Sequence, residues 1–233
     1  MTWSVIARDE ATWRVGIIVA SRFFAVGANV PHIETGAGAV ASQAFVNPYY
    51  GRDGLALLRE GRDASAVIAA LTALDAGRDH RQLHVLDANG QFAAHTGASC
   101  VGWCGHLLRP ALSVAGNMLT GPEVIAATAR TYEANLQLPF ARRLILAMQA
   151  GEMAGGKQSV ALLIHDEEAY PIYDIRVDDH PDPLGELIRL FDVAGQRYVH
   201  FRRWMPSKAA PAGNTDRRDM DAFVARSIAE GYE

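Results

Sequence analysis

The stretch Val15-Gly16-Ile17-Ile18-Val19-Ala20 limits the folds open to this chain more than any other. It is an unbroken apolar run, rich in β-branched residues, and reads as a strand covered on both faces. Such a strand needs one layer above it and another below. Ser4–Ala7 precede it across Glu10-Ala11-Thr12, so the chain opens as an antiparallel strand pair.

The rest of the chain supplies the covering layers. Gly36-Ala37-Gly38-Ala39-Val40-Ala41-Ser42 is a third strand, whose small side chains let another backbone or a ligand approach closely. Two helices follow. Asp53–Glu60 carries Leu55, Leu57 and Leu58 and stops at Gly61; the next has Asp63 as N-cap and Val67, Ile68, Leu71 and Leu74 on its apolar face. Gln82–Leu86 and Gln91–Ala94 flank Asp87-Ala88-Asn89-Gly90, and the Asn-Gly pair predicts a hairpin. Ser113–Ala115 adds a short strand. A second helix pair follows, opening at Pro122 and at Pro139, the latter running to Gly151. Strands at Val160–Ile164 and Ile172–Val177 surround Asp166-Glu167-Glu168, and Asp182-Pro183 starts a helix with Leu184, Leu187, Ile188 and Phe191 inward. Strand runs alternating with helix pairs predict an α+β fold of packed antiparallel sheets with helices outside.

Residues 1–205 are expected to form this body. Pro206–Gly213 reads as a linker, and Asp219–Ile228 as a short helix that docks on its own body or on a neighbouring subunit, so a homo-oligomer is a possible partner state. A chain of 233 residues can bury roughly 70% of its unfolded surface. Its net charge of −4 argues against a nucleic-acid surface. Two cysteines, Cys100 and Cys104, make no disulfide framework, and no apolar run approaches the roughly 20 residues of a membrane span. The expectation is a cytoplasmic protein without membrane or nucleic-acid partners.

The chemistry begins at the chain start. Removing Met1 would leave Thr2 with a free α-amine, and aminopeptidases that remove Met work best when the next side chain is small. An N-terminal Thr unites a hydroxyl nucleophile with an amine base whose pKa, roughly 8, suits proton abstraction near neutral pH.

Eight segments then carry a resemblance. They are Thr2-Trp3-Ser4-Val5-Ile6-Ala7-Arg8-Asp9, Val19-Ala20-Ser21-Arg22-Phe23-Phe24-Ala25-Val26-Gly27, Ser42-Gln43-Ala44-Phe45-Val46-Asn47-Pro48, His80-Arg81-Gln82, Ala94-His95-Thr96-Gly97, Gly116-Asn117-Met118-Leu119, Gln158-Ser159, and Arg176-Val177-Asp178-Asp179-His180-Pro181-Asp182-Pro183. In order and over residues 2 to about 190, the chain resembles a bacterial and archaeal domain-of-unknown-function family related to N-terminal nucleophile (Ntn) hydrolases, some of whose members carry a pilin label. The resemblance implies a four-layer α-β-β-α sandwich but brings no substrate. It implies a catalytic set of Thr2 with Arg22, Asn47, His95 and Asn117, where Asn47, Asn117 and the Arg22 guanidinium are oxyanion donors. Arg22 directly follows the second strand, so an antiparallel partner would bring it near the chain start, to lower the amine pKa or grip a substrate carboxylate. Ser4 and Ser21 are supporting groups.

Structural readings stand beside these. Asn47-Pro48 is also a turn signal, Asn117 follows Gly116 as in a turn, Arg22 could pair with a surface carboxylate, and His95 could be a hydrogen-bonded strand residue. His95, Cys100, Cys104 and His106 are zinc-type ligands without a standard finger spacing. Asp174, Asp178, Asp179, His180 and Asp182 are equally explained by a helix N-terminus. Glycines at 36–38 and 155–156 lack the Lys-Ser/Thr of a phosphate loop. No metal or cofactor is expected. The functional expectation is an Ntn hydrolase cleaving a small linear amide or peptide-like substrate through Thr2; the alternative is a non-catalytic ligand-binding or assembly module on the same scaffold.

Overall fold

A computed structural model describes residues 1–151 and 157–231. Gly155 and Gly156, considered above for phosphate binding, lie outside the described residues. The opening pair forms as the sequence predicts: β1 (Thr2–Arg8) and β2 (Val15–Ser21) are antiparallel, with Thr2 opposite Ser21 and Arg8 opposite Val15. The chain then makes β3 (Pro31–Glu34), β4 (Gly38–Ala44), the helices α1 (Pro48–Arg59) and α2 (Ala64–Ala73), and β5 (Arg81–Asp87) with β6 (Phe92–Thr96). Next come β7 (Trp103–Leu108), β8 (Leu112–Leu119), α3 (Glu123–Ala134), α4 (Phe140–Ala150), β9 (Ser159–His165) and β10 (Tyr173–Val177). The helices α5 (Pro183–Gln196), α6 (Tyr198–Arg202) and α7 (Arg217–Ala229) complete the described chain.

Two antiparallel sheets result, one of six strands in the order β10-β9-β2-β1-β8-β7 and one of four in the order β3-β4-β5-β6. Period-two alternation decides what each strand gives to each side. Trp3, Val5, Ile18 and Ala20 point out of the large sheet into a core shared with α3, α4 and α5, among them Tyr132, Leu144, Met148 and Leu187. Ile6, Ile17 and Val19 point the other way and meet Ala39, Ala41 and Leu86 of the small sheet. Val40, Leu83 and Val85 face Val67, Leu71 and Leu58 of the helices beyond. The four layers are therefore α-β-β-α. The β2 run is apolar throughout because both of its faces are interior.

Local chemistry explains the boundaries. In the β5–β6 hairpin Gly90 has φ of 83°, as the Asn-Gly turn requires, and the Asp87 carboxylate accepts from the Asn89 and Gln91 amides. Asp63 and Asp182 cap their helices, accepting from the Ala66 and Gly185 amides.

Several sequence expectations are corrected. The first helix starts at Pro48, five residues before Asp53, because Asn47 is its N-cap and Pro48 takes the first helical position. Leu74, placed on a buried stripe, is 92% exposed, since the helix ends at Ala73 and the apolar face stops with it. β3 and β7 are strands that the sequence reading omitted. β3 is short and opens with Pro31; β7 is interrupted by glycine and lies at a sheet edge. The tail helix α7 packs on α6 of its own chain: Val224 is buried, and the Ser227 hydroxyl meets His200 Nδ1 at 2.9 Å.

Candidate functional site

β1 is central in the large sheet, so its first residue is held from both sides. Thr2 lies opposite Ser21 of β2 and opposite Asn117 of β8. Directly opposed residues share a face, which places all three side chains on the inner side of the sheet. The Thr2 and Ser21 hydroxyls are 2.8 Å apart. Ser21 Oγ also donates to the Met1 carbonyl at 3.2 Å, so the Thr2 hydroxyl is the donor in the pair. The same Met1 carbonyl accepts the Arg22 amide at 3.1 Å. Two donors thus converge on one carbonyl oxygen beside Thr2.

These groups open onto a cleft of 300 Å³ whose lining includes Met1, Thr2, Ser21, Arg22, Gln43 and Asn117. The backbone around it is strained. Ala25, Ala44 and Met118 have φ of 53°, 69° and 54°, a region that costs side-chain-bearing residues roughly 1–2 kcal/mol each. Ala44 and Met118 line the cleft, and Ala25 precedes the lining residue Val26. At Met118 the strain belongs to a β-bulge. Trp103 pairs with Leu119 and Gly105 with Gly116, so Asn117 and Met118 together oppose Cys104. The bulge returns Leu119 to the outer core while Asn117 stays on the inner face.

Behind Thr2 the space between the sheets is polar and almost fully buried. Gln82 Nε2 lies 3.0 Å from the Gly105 carbonyl and 2.9 Å from that of Gly116. Carbonyls only accept, so this atom is the amide nitrogen and Gln82 Oε1 is an acceptor. Oε1 takes Gln43 Nε2 at 2.8 Å and Asn117 Nδ2 at 3.1 Å. Gln43 Oε1 must then accept, and Ser4 donates to it at 2.7 Å. Ser4 Oγ, its proton used, receives the His84 Nε2–H at 2.9 Å. A neutral His84 leaves Nδ1 to accept from Ser113, 2.8 Å away. Two backbone carbonyls therefore fix the donor direction of every link. Burial, followed by the charge of His106, pushes the His84 pKa down to about 3, so the ring is neutral at physiological pH. The chain of bonds also fixes the Asn117 amide: its nitrogen is tied to Gln82, and Oδ1 has no protein partner among the described residues.

The structure therefore brings Thr2, Arg22 and Asn117 to one cleft, with Ser21 in direct contact. It does not bring Asn47 or His95 there. Asn47 Oδ1 accepts the Tyr49 amide as helix cap, and Nδ2 donates to Asp75 at 3.3 Å. His95 lies opposite Leu83, whose side chain faces the α1–α2 layer, and its Nε2 bonds the Arg78 carbonyl at 3.0 Å. The neighbouring pair Gln82–Thr96 occupies the inner face, so Thr96 rather than His95 joins the network. Gln43, Gln82, His84 and Ser113 support the site although the sequence did not single them out for it. Their signal was the alternation of polar with apolar residues along Gln82-Leu83-His84-Val85.

Burial and then the Arg22 guanidinium hold the Met1 amine below its ordinary pKa, so a cation already acts on an amine at this strand end. Arg22 itself is exposed, and no acidic side chain pairs with it among the described residues. Among the described residues no group of three or more His, Cys, Asp or Glu is placed to hold a metal ion. His106 Nδ1 bonds Thr96 at 2.9 Å, Asp178 pairs with Arg176, and Asp182 caps α5. No described helix is long and apolar enough to cross a membrane.

Comparison with known proteins follows the same outline. A crystal structure of a protein from Silicibacter pomeroyi is 32% identical, covers 93% of this chain and 96% of its own, and superposes with a TM-score of 0.87. Its description assigns it to the family DUF1028. A structure of Anbu, an ancestral β-subunit from Yersinia bercovieri, aligns over 88% of this chain and 98% of its own at 10% identity and a TM-score of 0.42. No curated protein matches. The model of the family of unknown function DUF1028 matches residues 2–187, and the chain belongs to that family.

Proposed function

We propose that, once Met1 is removed, this protein is an N-terminal nucleophile hydrolase of small linear amides. One observation carries the reading: Thr2 stands at the mouth of the inter-sheet cleft with Ser21 and Asn117 in register on either side. The Thr2 hydroxyl attacks the substrate carbonyl carbon while its own α-amine takes the proton. The tetrahedral oxyanion is held by donors of the kind that now hold the Met1 carbonyl, the Arg22 amide and the Ser21 hydroxyl. Collapse breaks the C–N bond, and the ammonium protonates the leaving amine. Water, deprotonated by the same amine, then cleaves the ester on Thr2 and releases the acid. Asn117 Oδ1, oriented through Gln82, accepts from the α-amine and aims its lone pair. Burial and then the Arg22 charge, which lower the pKa of the Met1 amine, favour the neutral form of an amine at this strand end. Asn47 and His95, occupied elsewhere, have no role in this scheme.

Mass spectrometry of the purified protein, paired with turnover of a panel of short acyl amides, tests the proposal. The expected result is a chain that begins at Thr2, with turnover lost in Thr2→Ala and partly kept in Thr2→Ser. Activity from molecules that all retain Met1, or full activity in Thr2→Ala, would overturn it.

A further inference from the structure

We infer that the cleft takes a monoanionic, otherwise apolar amide of the N-acyl amino acid type, its carboxylate bound by the Arg22 guanidinium; this substrate class rests on the hydrolase reading above. The electrostatics of the lining carry the inference. Arg22 is the sole ionisable side chain among the described lining residues. It is exposed, and no carboxylate of the protein neutralises it among the described residues. An exposed guanidinium at the edge of a cleft, with no described carboxylate beside it, favours a planar anion that it can hold through two parallel hydrogen bonds.

Much of the remaining wall is apolar. Phe23, Val26, Val30, Val46 and Met118 present hydrocarbon, and beside them the lining side chains of Asn29, Gln43 and Asn117 are polar but uncharged. Phe23 is 66% exposed and Met118 53% exposed although both border the cleft, so apolar surface is left uncovered where a ligand body would lie. Size is adequate. The cleft holds 300 Å³ with Met1 among its lining residues and gains the space of that residue on its removal, which leaves room for a short acyl chain joined to one small amino acid.

The test separates ligand class from catalysis. Thr2→Ala protein, whose second residue is still small enough for Met1 removal, is titrated calorimetrically with N-hexanoylglycine, with its uncharged analogue N-hexanoylglycinamide, and with the cationic N-hexanoylethylenediamine. The acid is expected to bind at least 10-fold more tightly than the other two, and adding Arg22→Gln is expected to erase that preference. Equal affinities, no measurable binding of the acid at millimolar concentration, or a preference that survives Arg22→Gln would each overturn the inference. Turnover by the Thr2 protein is scored separately. Acid-selective binding without hydrolysis of either compound keeps the ligand class and removes the hydrolase; hydrolysis of acid and neutral amide at equal kcat/KM keeps the hydrolase and removes the ligand class.

Discussion

The buried His84 makes a quantitative prediction. Its ring has no exposed surface and sits between two hydroxyls, with burial holding its pKa at about 3 against an ordinary 6.5. The unfolded chain therefore binds a proton there between about pH 6.5 and 3 that the folded chain refuses. Stability must fall as the pH drops through that window, by roughly 1.4 kcal/mol per pH unit, and the loss is complete below the folded value. From pH 7 to 4.5 the contribution of this one ring is about 2–3 kcal/mol. His32, His106 and His165, also depressed first by burial, add slopes of the same sign, so the wild-type slope alone does not isolate His84. His84→Gln does. Glutamine offers a donor and an acceptor to Ser4 and Ser113 and cannot titrate. Urea unfolding followed by far-UV circular dichroism at half-unit pH steps should show the variant losing about 2–3 kcal/mol less than wild type over that interval. Parallel stability–pH curves for the two proteins would refute both the neutral ring and the donor order built on it.

Other perturbations follow from the same geometry. Gln82→Leu strands the Gly105 and Gly116 carbonyls and the amides of Gln43 and Asn117, at about 1–3 kcal/mol for each buried group left unpaired; a loss of at least about 3 kcal/mol in urea is expected, and a change below about 1 kcal/mol would contradict the network. Arg143→Met leaves the Asp9 carboxylate buried without its guanidinium, now 2.9 Å away, which should cost about 3–5 kcal/mol at pH 7. Burial opposes ionisation of Asp9, but the Thr12 hydroxyl and Arg143 outweigh it and hold its pKa low, so in wild type this stabilisation is present above the ordinary carboxylate range and fades as the pH falls through the depressed folded value. Gly38→Ala should lower the thermal midpoint clearly, since the backbone has φ of +144° and a Cβ there would meet the Leu86 carbonyl at 2.1 Å; an unchanged melt would refute the close β4–β5 approach.

Much of the architecture was legible in the residues themselves. The apolar β2 run demanded two covering layers, the Asn-Gly pair set the β5–β6 turn, and Asp63 and Asp182 marked helix starts through chemistry confined to four or five neighbours. Thr2, Arg22 and Asn117 were grouped by the family resemblance, with strand pairing as a further argument for Arg22 alone, and antiparallel pairing of neighbouring strands is what brings them to one cleft. Asn47 and His95 were placed wrongly because each depends on one local detail. A cap and a turn share the Asn-Pro signature, and a shift of one position between His95 and Thr96 exchanges the faces of a strand.

What the chain alone determined, then, is the alternation of faces along its longer strands and the helix starts marked by Asp63 and Asp182, since these follow from periods of two and 3.6 and from short-range hydrogen bonds. It could not determine that the polar face of Gln82 and His84 lies inside. Alternating polar residues look the same whether the partner surface is water or a second sheet, and only the packing of the large sheet over the small one, through contacts 23 to 80 residues apart in sequence, turned that face into a buried network behind Thr2.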